Sequence, residues 1–390
     1  MKWIVLSCGL AAALSAMDFA AFKALALERS PQMASLQMQR PIAEQEGDIA
    51  LMYANPEIEA EFSRFDPDTG PADNGWRASV SQPLRTWGLG DDLQRRKTAA
   101  VSLADTAVLR GRAGFIAALE RAYTAYVYAS KMAGIVEDEI GIARRFETMA
   151  KTRYEDGAAT RAKWMQATTE LLRAQNRLLL WHQKRDAAYY RLLALSGLTR
   201  DVPLEAAFLY DAAAEAASSE LHSPDVALGR RQNAYLRADA QAKDYALKQW
   251  RVYGEYENEP DQAIARIGVS VPLPLFNAGK ERAKLARLKA QRAVIETERT
   301  ERTQQVRLRA LAQLLADNAR RHASLEVLRT KQHELLKLFE EGYRLSGSSL
   351  LDLLLAKSRL IATRKMLLET RRDANVARIE MNYLQGKYND

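Results

Sequence analysis

The stretch SVSQPLRTWGLGDDLQ, residues 79–94, has a counterpart in GVSVPLPLFNAGKERA, residues 268–283. Each contains Val-Ser, one further residue, Pro-Leu, an aromatic residue, a glycine and then a charged run. A strand-like pattern ends at each Pro-Leu pair, and a helix-like pattern begins after each glycine. The repeated stretch therefore predicts a transition from strand to helix that occurs twice in the chain.

The two stretches are offset by 189 residues (268 minus 79), and the offset persists far downstream. It indicates an internal duplication whose period is too long for a solenoid repeat. We predict a first structural repeat at residues 17–200 and a second at 201–390. The downstream residues paired at this offset are Tyr154 with Tyr343, Ala167 with Ala356, Leu195 with Leu384, and Gly197 with Gly386.

The N terminus has the pattern of a secretory signal peptide. Lys2 precedes a mostly apolar run from Trp3 to Ala13, and small residues follow. Cleavage after Ser15 and cleavage after Ala16 both fit, and we assign residues 1–16 to the signal peptide. The only cysteine, Cys8, lies within it. We therefore expect an exported mature chain without disulfides or thiol catalysis.

Each predicted repeat has the same order of elements: a helix, two strands, a long helix, a glycine-containing break and a return helix. The first helices are expected near 19–50, broken or preceded by Ser30-Pro31, and near 227–248, preceded by Ser223-Pro224. Each long helix should run about 60 residues, roughly 90 Å. The breaks are expected at 153–160 and 342–349.

The second return helix carries apolar and small residues spaced alternately by three and four. That spacing predicts a coiled-coil seam, with an ordinary amphipathic bundle helix as the alternative. The seam residues are Leu353, Ala356, Leu360, Thr363, Leu367, Thr370, Ala374, Ala377, Met381 and Leu384.

Four short runs alternate with period two and predict half-buried strands. Their length of about nine or ten residues suits a tilted strand that crosses a bilayer. Four strands do not close a barrel, whereas three chains would supply twelve. The alternative is a soluble pair of hairpins packed on the helices. The runs are 55–63, 76–84, 251–259 and 264–273.

Proline and glycine at the strand-to-helix transitions have distinct expected roles. Proline lacks a ladder donor, so Pro83 and Pro272 should mark where each second strand leaves the sheet. Gly90 and Gly279 should relax the backbone where the chain enters each long helix.

Composition and motifs argue against an enzyme, a metal site, a cofactor site or a nucleic-acid interface. The net charge is +8, but no basic block stands apart from acidic neighbours. The four histidines form no i,i+4 pair, so no zinc site is predicted. Gly279-Lys280 is followed by Glu281 rather than Ser or Thr, which excludes a P-loop.

The duplicated V-S-x-P-L…G pattern and the tyrosine, glycine and alanine at each helical break resemble the TolC family of outer-membrane efflux channels, the outer membrane factors. The resemblance implies a mainly α fold with β, in which long antiparallel coiled-coil helices accompany a trimeric twelve-stranded barrel in the outer membrane. It also implies a periplasmic helical tunnel, an adaptor partner and an inner-membrane pump. A soluble periplasmic coiled-coil adaptor or scaffold is the alternative function.

The resemblance also implies that the breaks at Tyr154–Gly157 and Tyr343–Gly347 are periplasmic tips that form a gate, where Tyr343 and Asp352 match the family pattern. Ser346 stands where glycine is usual. Lys163 occupies the position equivalent to Asp352, so a purely acidic gate is not expected. Either three Lys163 and three Asp352 alternate and pair when the entrance closes, or Lys163 is simply solvated.

Four glutamates on the predicted strands are candidates for the lumen of the implied barrel. They either favour cations or are hydrated without a role in selectivity. These residues are Glu57, Glu59, Glu61 and Glu255.

Overall fold

The computed structural model describes residues 16–66, 68–69, 71–211, 220–276, 278–345 and 348–389. The predicted signal peptide lies outside these residues except for Ala16. The helices and strands are α1 (Phe19–Arg29), α2 (Pro31–Gln37), α3 (Gln39–Leu51), β1 (Glu57–Phe65), β2 (Asp73–Arg85), α4 (Leu89–Glu155), α5 (Arg161–Ser196), α6 (Pro224–Lys243), β3 (Gln249–Asn258), β4 (Ala263–Ser270), α7 (Lys280–Arg344) and α8 (Leu350–Leu384).

The predicted fold class, mainly α with a small β component, is confirmed. Helix, strand, strand, long helix and return helix follow one another in both halves of the chain. Within the described residues, no helix contains a segment both long and apolar enough to cross a bilayer.

Several predicted boundaries need correction. The first helical region comprises three helices, with Ser30 capping the end of α1 and a second interruption at Met38. Helix α6 ends at Lys243 rather than near 248, because β3 begins at Gln249 and the chain needs residues between them to change direction.

The chain divides into two compact units that do not coincide with the two predicted repeats. The first unit comprises Met1–Ser35, Gly111–Ser223 and Gln304–Asp390, and the second comprises Leu36–Arg110 and Pro224–Thr303. Each unit therefore takes segments from both halves of the sequence. The repeats themselves remain a prediction from the sequence.

The first unit is a helical bundle with its apolar residues on the facing sides of the helices. One core cluster joins Phe146 and Ala150 of α4, Ala167 of α5 and Leu336 of α7 to Leu353 of α8. All ten predicted seam residues of α8 are buried. The three-and-four spacing thus correctly identified the inward face of this helix.

The second unit contains one antiparallel sheet in the order β1-β2-β3-β4. Within the chain, β1 and β4 are the edges. Strand β2 is longer than predicted at both ends, while β4 stops at Ser270, before the predicted end at Leu273. The pairing of β2 with β3 joins the two halves of the sequence in one sheet.

Candidate functional site

One face of the sheet is charged across all four strands. Glu57, Glu59 and Glu61 of β1 lie opposite Ser81, Ser79 and Arg77 of β2. The same face continues through Glu255 and Glu257 of β3 to Arg266 of β4. The sheet therefore brings the four predicted lumen glutamates onto one surface.

Arginines partner most of these carboxylates. Arg77 pairs with Glu61 and lies 4.0 Å from Glu255, while Arg266 pairs with Glu255 and Glu257. Arg251 lies 3.0 Å from Glu57. Within the described part of the chain, Glu59 has no ion pair within 4 Å. We call this set of alternating charges the arginine–glutamate ladder. Sequence reasoning identified four of its carboxylates and missed Glu257 and the arginines, because the strand register was needed to bring these side chains together.

The opposite face of the sheet is apolar and exposed in the isolated chain. Ile58, Phe62 and Ile267 are 80%, 86% and 91% exposed. Trp76 and Val80 of β2 share this face and are also exposed. An apolar surface this continuous marks a contact with lipid or with another protein.

The two strand-to-helix transitions differ in detail. Pro83 lies within β2, opposite Arg251 of β3, at a level where the pairing of β2 with β1 has already ended at Ser81. Pro272 follows the end of β4. Both prolines thus sit where a missing ladder donor is tolerated, although Pro83 precedes the end of its strand.

Gly279 has a φ of +74°, which favours glycine, and it immediately precedes α7. Gly90 does not have the role we predicted, because it lies inside the first turn of α4. The residue with positive φ there is Gly88, at +81°. The constant offset fails at this point because residues 86–88 connect β2 to α4, whereas residues 271–279 connect β4 to α7.

The break after α4 is a Schellman motif centred on Gly157. Its φ is +73°, its N–H donates to the Tyr154 carbonyl at 3.0 Å, and the Ala158 N–H donates to the Arg153 carbonyl at 2.7 Å. Tyr154 stacks on Trp164 of α5 with ring centres 5.6 Å apart. Trp164 in turn donates to Glu147 at 2.7 Å. These contacts tie the break to both of its flanking helices.

Tyr343 has a different environment from Tyr154, its counterpart in the predicted repeat. It is 3% exposed, and the Arg153 guanidinium lies over its ring at 4.7 Å. Burial raises the pKa of the Tyr343 hydroxyl. That hydroxyl is buried and has no hydrogen-bond partner among the described residues.

Asp352 forms a capping box at the start of α8. Its carboxylate accepts from the Ser349 N–H at 3.0 Å and the Ser349 hydroxyl at 2.7 Å, while its own N–H donates to Ser349 Oγ at 3.2 Å. The hydroxyl and backbone hydrogen bonds from Ser349 lower the pKa of Asp352. Its carboxylate therefore stabilises the helix terminus within a single chain.

Lys163 is exposed in the first turn of α5. The cap residue of that helix, Thr160, makes no side-chain capping hydrogen bond. Lys163 has no ion pair within 4 Å among the described residues. Ser346 and Gly347 lie outside those residues. Pairing of Lys163 with Asp352 of another copy therefore stays a prediction.

The bundle also contains a buried charge cluster that sequence reasoning missed. Lys357 of α8 is 2% exposed, and its Nζ lies 3.6 Å from Glu139 and 3.7 Å from Glu170. Arg177 donates to Glu139 at 2.6 Å. The cluster joins α4, α5 and α8. No local pattern distinguishes Lys357 from the exposed lysines of the same helices.

A second buried network surrounds Glu120, which accepts from the hydroxyls of Tyr210 at 2.9 Å and Tyr388 at 2.5 Å. Burial and the neighbouring Glu120 carboxylate raise the pKa of Tyr388. These groups hold the segment between the two halves against the bundle. Across the described residues, no group of three or more His, Cys, Asp or Glu side chains is arranged to hold a metal ion.

Comparison with known proteins gives both a sequence match and a fold match. The family model described as outer membrane efflux protein matches residues 24–198. No curated protein sequence matches the chain significantly.

Three similar solved structures are outer-membrane proteins, and two of them, CmeC and MtrE, are described as outer-membrane channels. The Vibrio cholerae protein VceC has a TM-score of 0.78 at 15% identity, covering 94% of this chain and 95% of its own. Campylobacter jejuni CmeC has a TM-score of 0.78 at 14% identity, with coverages of 94% and 85%. The open state of Neisseria gonorrhoeae MtrE has a TM-score of 0.70 at 16% identity, with coverages of 94% and 88%. The family match over residues 24–198, together with a fold shared over nearly the whole chain, makes this chain similar to the outer membrane efflux protein family.

Proposed function

We propose that three copies of this chain form a duct that carries cargo from the periplasm across the outer membrane. The observation that carries the proposal is the four-stranded sheet, which has one exposed apolar face, one charged face and two open edges. Lipid does not tolerate unpaired strand edges, so such a sheet needs closure. Three copies would supply twelve strands, an even number typical of bacterial outer-membrane barrels.

The faces of the sheet suit the two sides of such a barrel. The apolar face, with Phe62 and Ile267, would contact lipid, and the arginine–glutamate ladder would line the aqueous lumen. The edges β1 and β4 would pair between neighbouring copies. The helical bundle would then lie in the periplasm, as in the family.

The expected partners are a periplasmic adaptor and an inner-membrane pump. The match of residues 24–198 to the outer membrane efflux protein model supports this expectation. The helical breaks that precede α5 and α8 are the regions we expect the adaptor to contact.

The alternative of a soluble periplasmic adaptor or scaffold is not favoured. A soluble protein would leave Ile58, Phe62 and Ile267 exposed to water. Burying each of these side chains would lower the free energy by about 1.5–3 kcal/mol. The fold that this chain shares with an outer-membrane channel over 94% of its length also favours the duct.

Fractionation tests the proposal directly. Expressed with its signal peptide, the chain should appear in the outer membrane, require detergent for extraction and have the mass of a trimer. Reconstituted in planar bilayers, it should conduct ions. Soluble monomeric or dimeric material in the periplasm would contradict the duct.

A matched pair of variants tests the assignment of the faces. Ile267→Lys places a charge on the proposed lipid face and should cost roughly 2–4 kcal/mol near the bilayer midplane, reducing the amount inserted. Ser79→Lys places the same charge on the ladder face and should insert normally. Equal insertion of the two variants would argue against these faces.

A further inference from the structure

A cavity of about 610 Å³ lies in the second unit, at the end of the sheet where strands connect to helices. It borders the segment before β3 and the segment between β4 and α7. Its lining includes Tyr245, Lys248, Pro272, Phe276, Gly279 and Arg282.

The cavity adjoins the apolar face of the sheet. Trp250 of β3 has the same parity as Val252 and Tyr256, so it belongs to that face. Trp87, which is 84% exposed, packs beside Trp250 with ring centres 5.9 Å apart. Aromatic side chains at the ends of membrane-spanning strands characteristically lie at the level of lipid headgroups.

Apolar exposure continues from the strands into the cavity wall. Leu273 and Leu275 follow β4 and are 74% and 78% exposed. Phe276, the next residue and part of the wall, is fully exposed. A lipid-facing surface therefore extends from the sheet to the cavity.

The charged groups of the cavity are cations. Lys248 and Arg282 are exposed, no carboxylate is part of the lining, and neither cation has an ion pair within 4 Å in the described part of the chain. Two other cations of the second unit are paired: Arg251 lies 3.0 Å from Glu57, and Arg287 pairs with Asp244. Lys248 and Arg282 are thus available to an anion.

We propose that this cavity binds the headgroup of an anionic phospholipid of the periplasmic leaflet. The lipid phosphate contacts Lys248 and Arg282, and its acyl chains lie on the apolar surface that includes Leu273 and Trp250. The inference rests on the proposed outer-membrane location and deepens it by naming a lipid class. Lipid binding there would anchor the end of the sheet that connects to the helices at the periplasmic surface of the outer membrane.

The test uses the mature chain purified in detergent and mixed with phosphatidylglycerol or phosphatidylcholine of identical acyl chains. Bound lipid is counted by native mass spectrometry. Each cation near an anionic headgroup contributes about a fivefold preference, so the wild type should favour phosphatidylglycerol by roughly 25-fold. The double variant Lys248→Ala, Arg282→Ala should lose this preference.

A matched control removes two positive charges outside the cavity lining, with Lys284→Ala and Lys289→Ala, and should keep the preference. An equal preference in the cavity variant, or none in the wild type, overturns the proposal. Displacement of phosphatidylglycerol by equimolar inorganic phosphate would identify a free-anion site and overturn it also.

The other possible occupant is a second copy of the chain. Because the mature chain is expected to lack cysteine, Phe276→Cys combined with Tyr53→Cys gives a clean cross-linking test. Efficient disulfide formation between copies would mean that protein covers the cavity, and it would also overturn the lipid proposal. Conductance of the Lys248→Ala, Arg282→Ala variant tests the lipid site separately from the duct. Loss of the lipid preference with normal conductance would support the lipid site and leave the duct function intact.

Discussion

Arg153, near the end of α4, places its guanidinium 4.7 Å from the ring centre of Tyr343 on α7 and donates from Nη1 to the Tyr343 carbonyl at 2.7 Å. The contact joins the last turns of the two longest helices. The guanidinium satisfies a carbonyl that the helix end leaves without an intrahelical partner. It also covers the aromatic face that Tyr343 presents.

Substitutions of Tyr343 should separate the ring from its hydroxyl. Because the hydroxyl is buried without a partner among the described residues, Tyr343→Phe should leave stability unchanged or raise it by up to about 1–2 kcal/mol. Tyr343→Ala removes the ring from the core and should cost about 3–5 kcal/mol. Chemical unfolding followed by circular dichroism measures both. A large loss for Tyr343→Phe would mean that the hydroxyl has a polar partner in the assembled protein.

The capping box predicts a pH dependence at the start of α8. Hydrogen bonds from Ser349 lower the pKa of Asp352, so the carboxylate stabilises the folded chain above the pKa of the unfolded residue, about 4. The stabilisation is lost as the pH falls through the lower folded value. Asp352→Asn should therefore lower the melting temperature at pH 7, and its difference from wild type should shrink below about pH 4. A difference that stays constant down to pH 2 would contradict this account.

The same residue tests the predicted pairing at the entrance. If Lys163 and Asp352 of different copies pair in the closed state, neutralising either one should raise the conductance of reconstituted channels. Ser349→Ala is the matched control, because it removes a cap contribution of about 1 kcal/mol without removing the Asp352 charge. Unchanged conductance in Lys163→Gln and Asp352→Asn would leave Asp352 as a helix cap and Lys163 as a solvated side chain.

Local patterns in the sequence correctly predicted which side chains share one face of a helix or strand, because the backbone period alone determines this. The ten seam residues of α8 are buried because three-and-four spacing alone places them on one side of a helix. The alternation in β1 and β3 likewise placed Glu57, Glu59, Glu61 and Glu255 on one face. In both cases the period of the backbone determines which side chains share a surface.

Features that depend on distant segments were missed. The pairing of Arg77 with Glu255 requires β2 to lie beside β3, and three helices separate those strands in the sequence. Burial of Lys357 depends on carboxylates from two other helices. Gly90 was misassigned because a constant offset assumes linkers of equal length between strand and helix. The linker between β2 and α4 is shorter than the linker between β4 and α7.

Two glycines with the same backbone conformation should differ in their tolerance of a side chain. Gly157 and Gly386 have φ values of +73° and +71°. A Cβ on Gly157 would meet no atom within 4 Å, whereas one on Gly386 would lie 2.6 Å from the His222 carbonyl oxygen. Gly157→Ala should cost about 1 kcal/mol for the left-handed conformation alone, and Gly386→Ala should cost about 2–3 kcal/mol or more. Equal losses of unfolding free energy would contradict the close approach at Gly386.

The arginine–glutamate ladder predicts how charge selectivity responds to mutation. Arg77 pairs with Glu61 and contacts Glu255, so Arg77→Gln leaves both carboxylates without this cation on the proposed lumen face. Because an uncompensated charge in a confined aqueous pore shifts the local potential by about the thermal energy or more, the ratio of cation to anion permeability should rise roughly two- to fivefold. Reversal potentials in a KCl gradient measure this ratio. Arg64→Gln removes an equal charge from β1 at a position of the opposite face, opposite Asn74, and should leave the ratio unchanged. If both variants behave like wild type, the ladder glutamates are hydrated without a role in selectivity, and the arginines serve only to hold the strands in register.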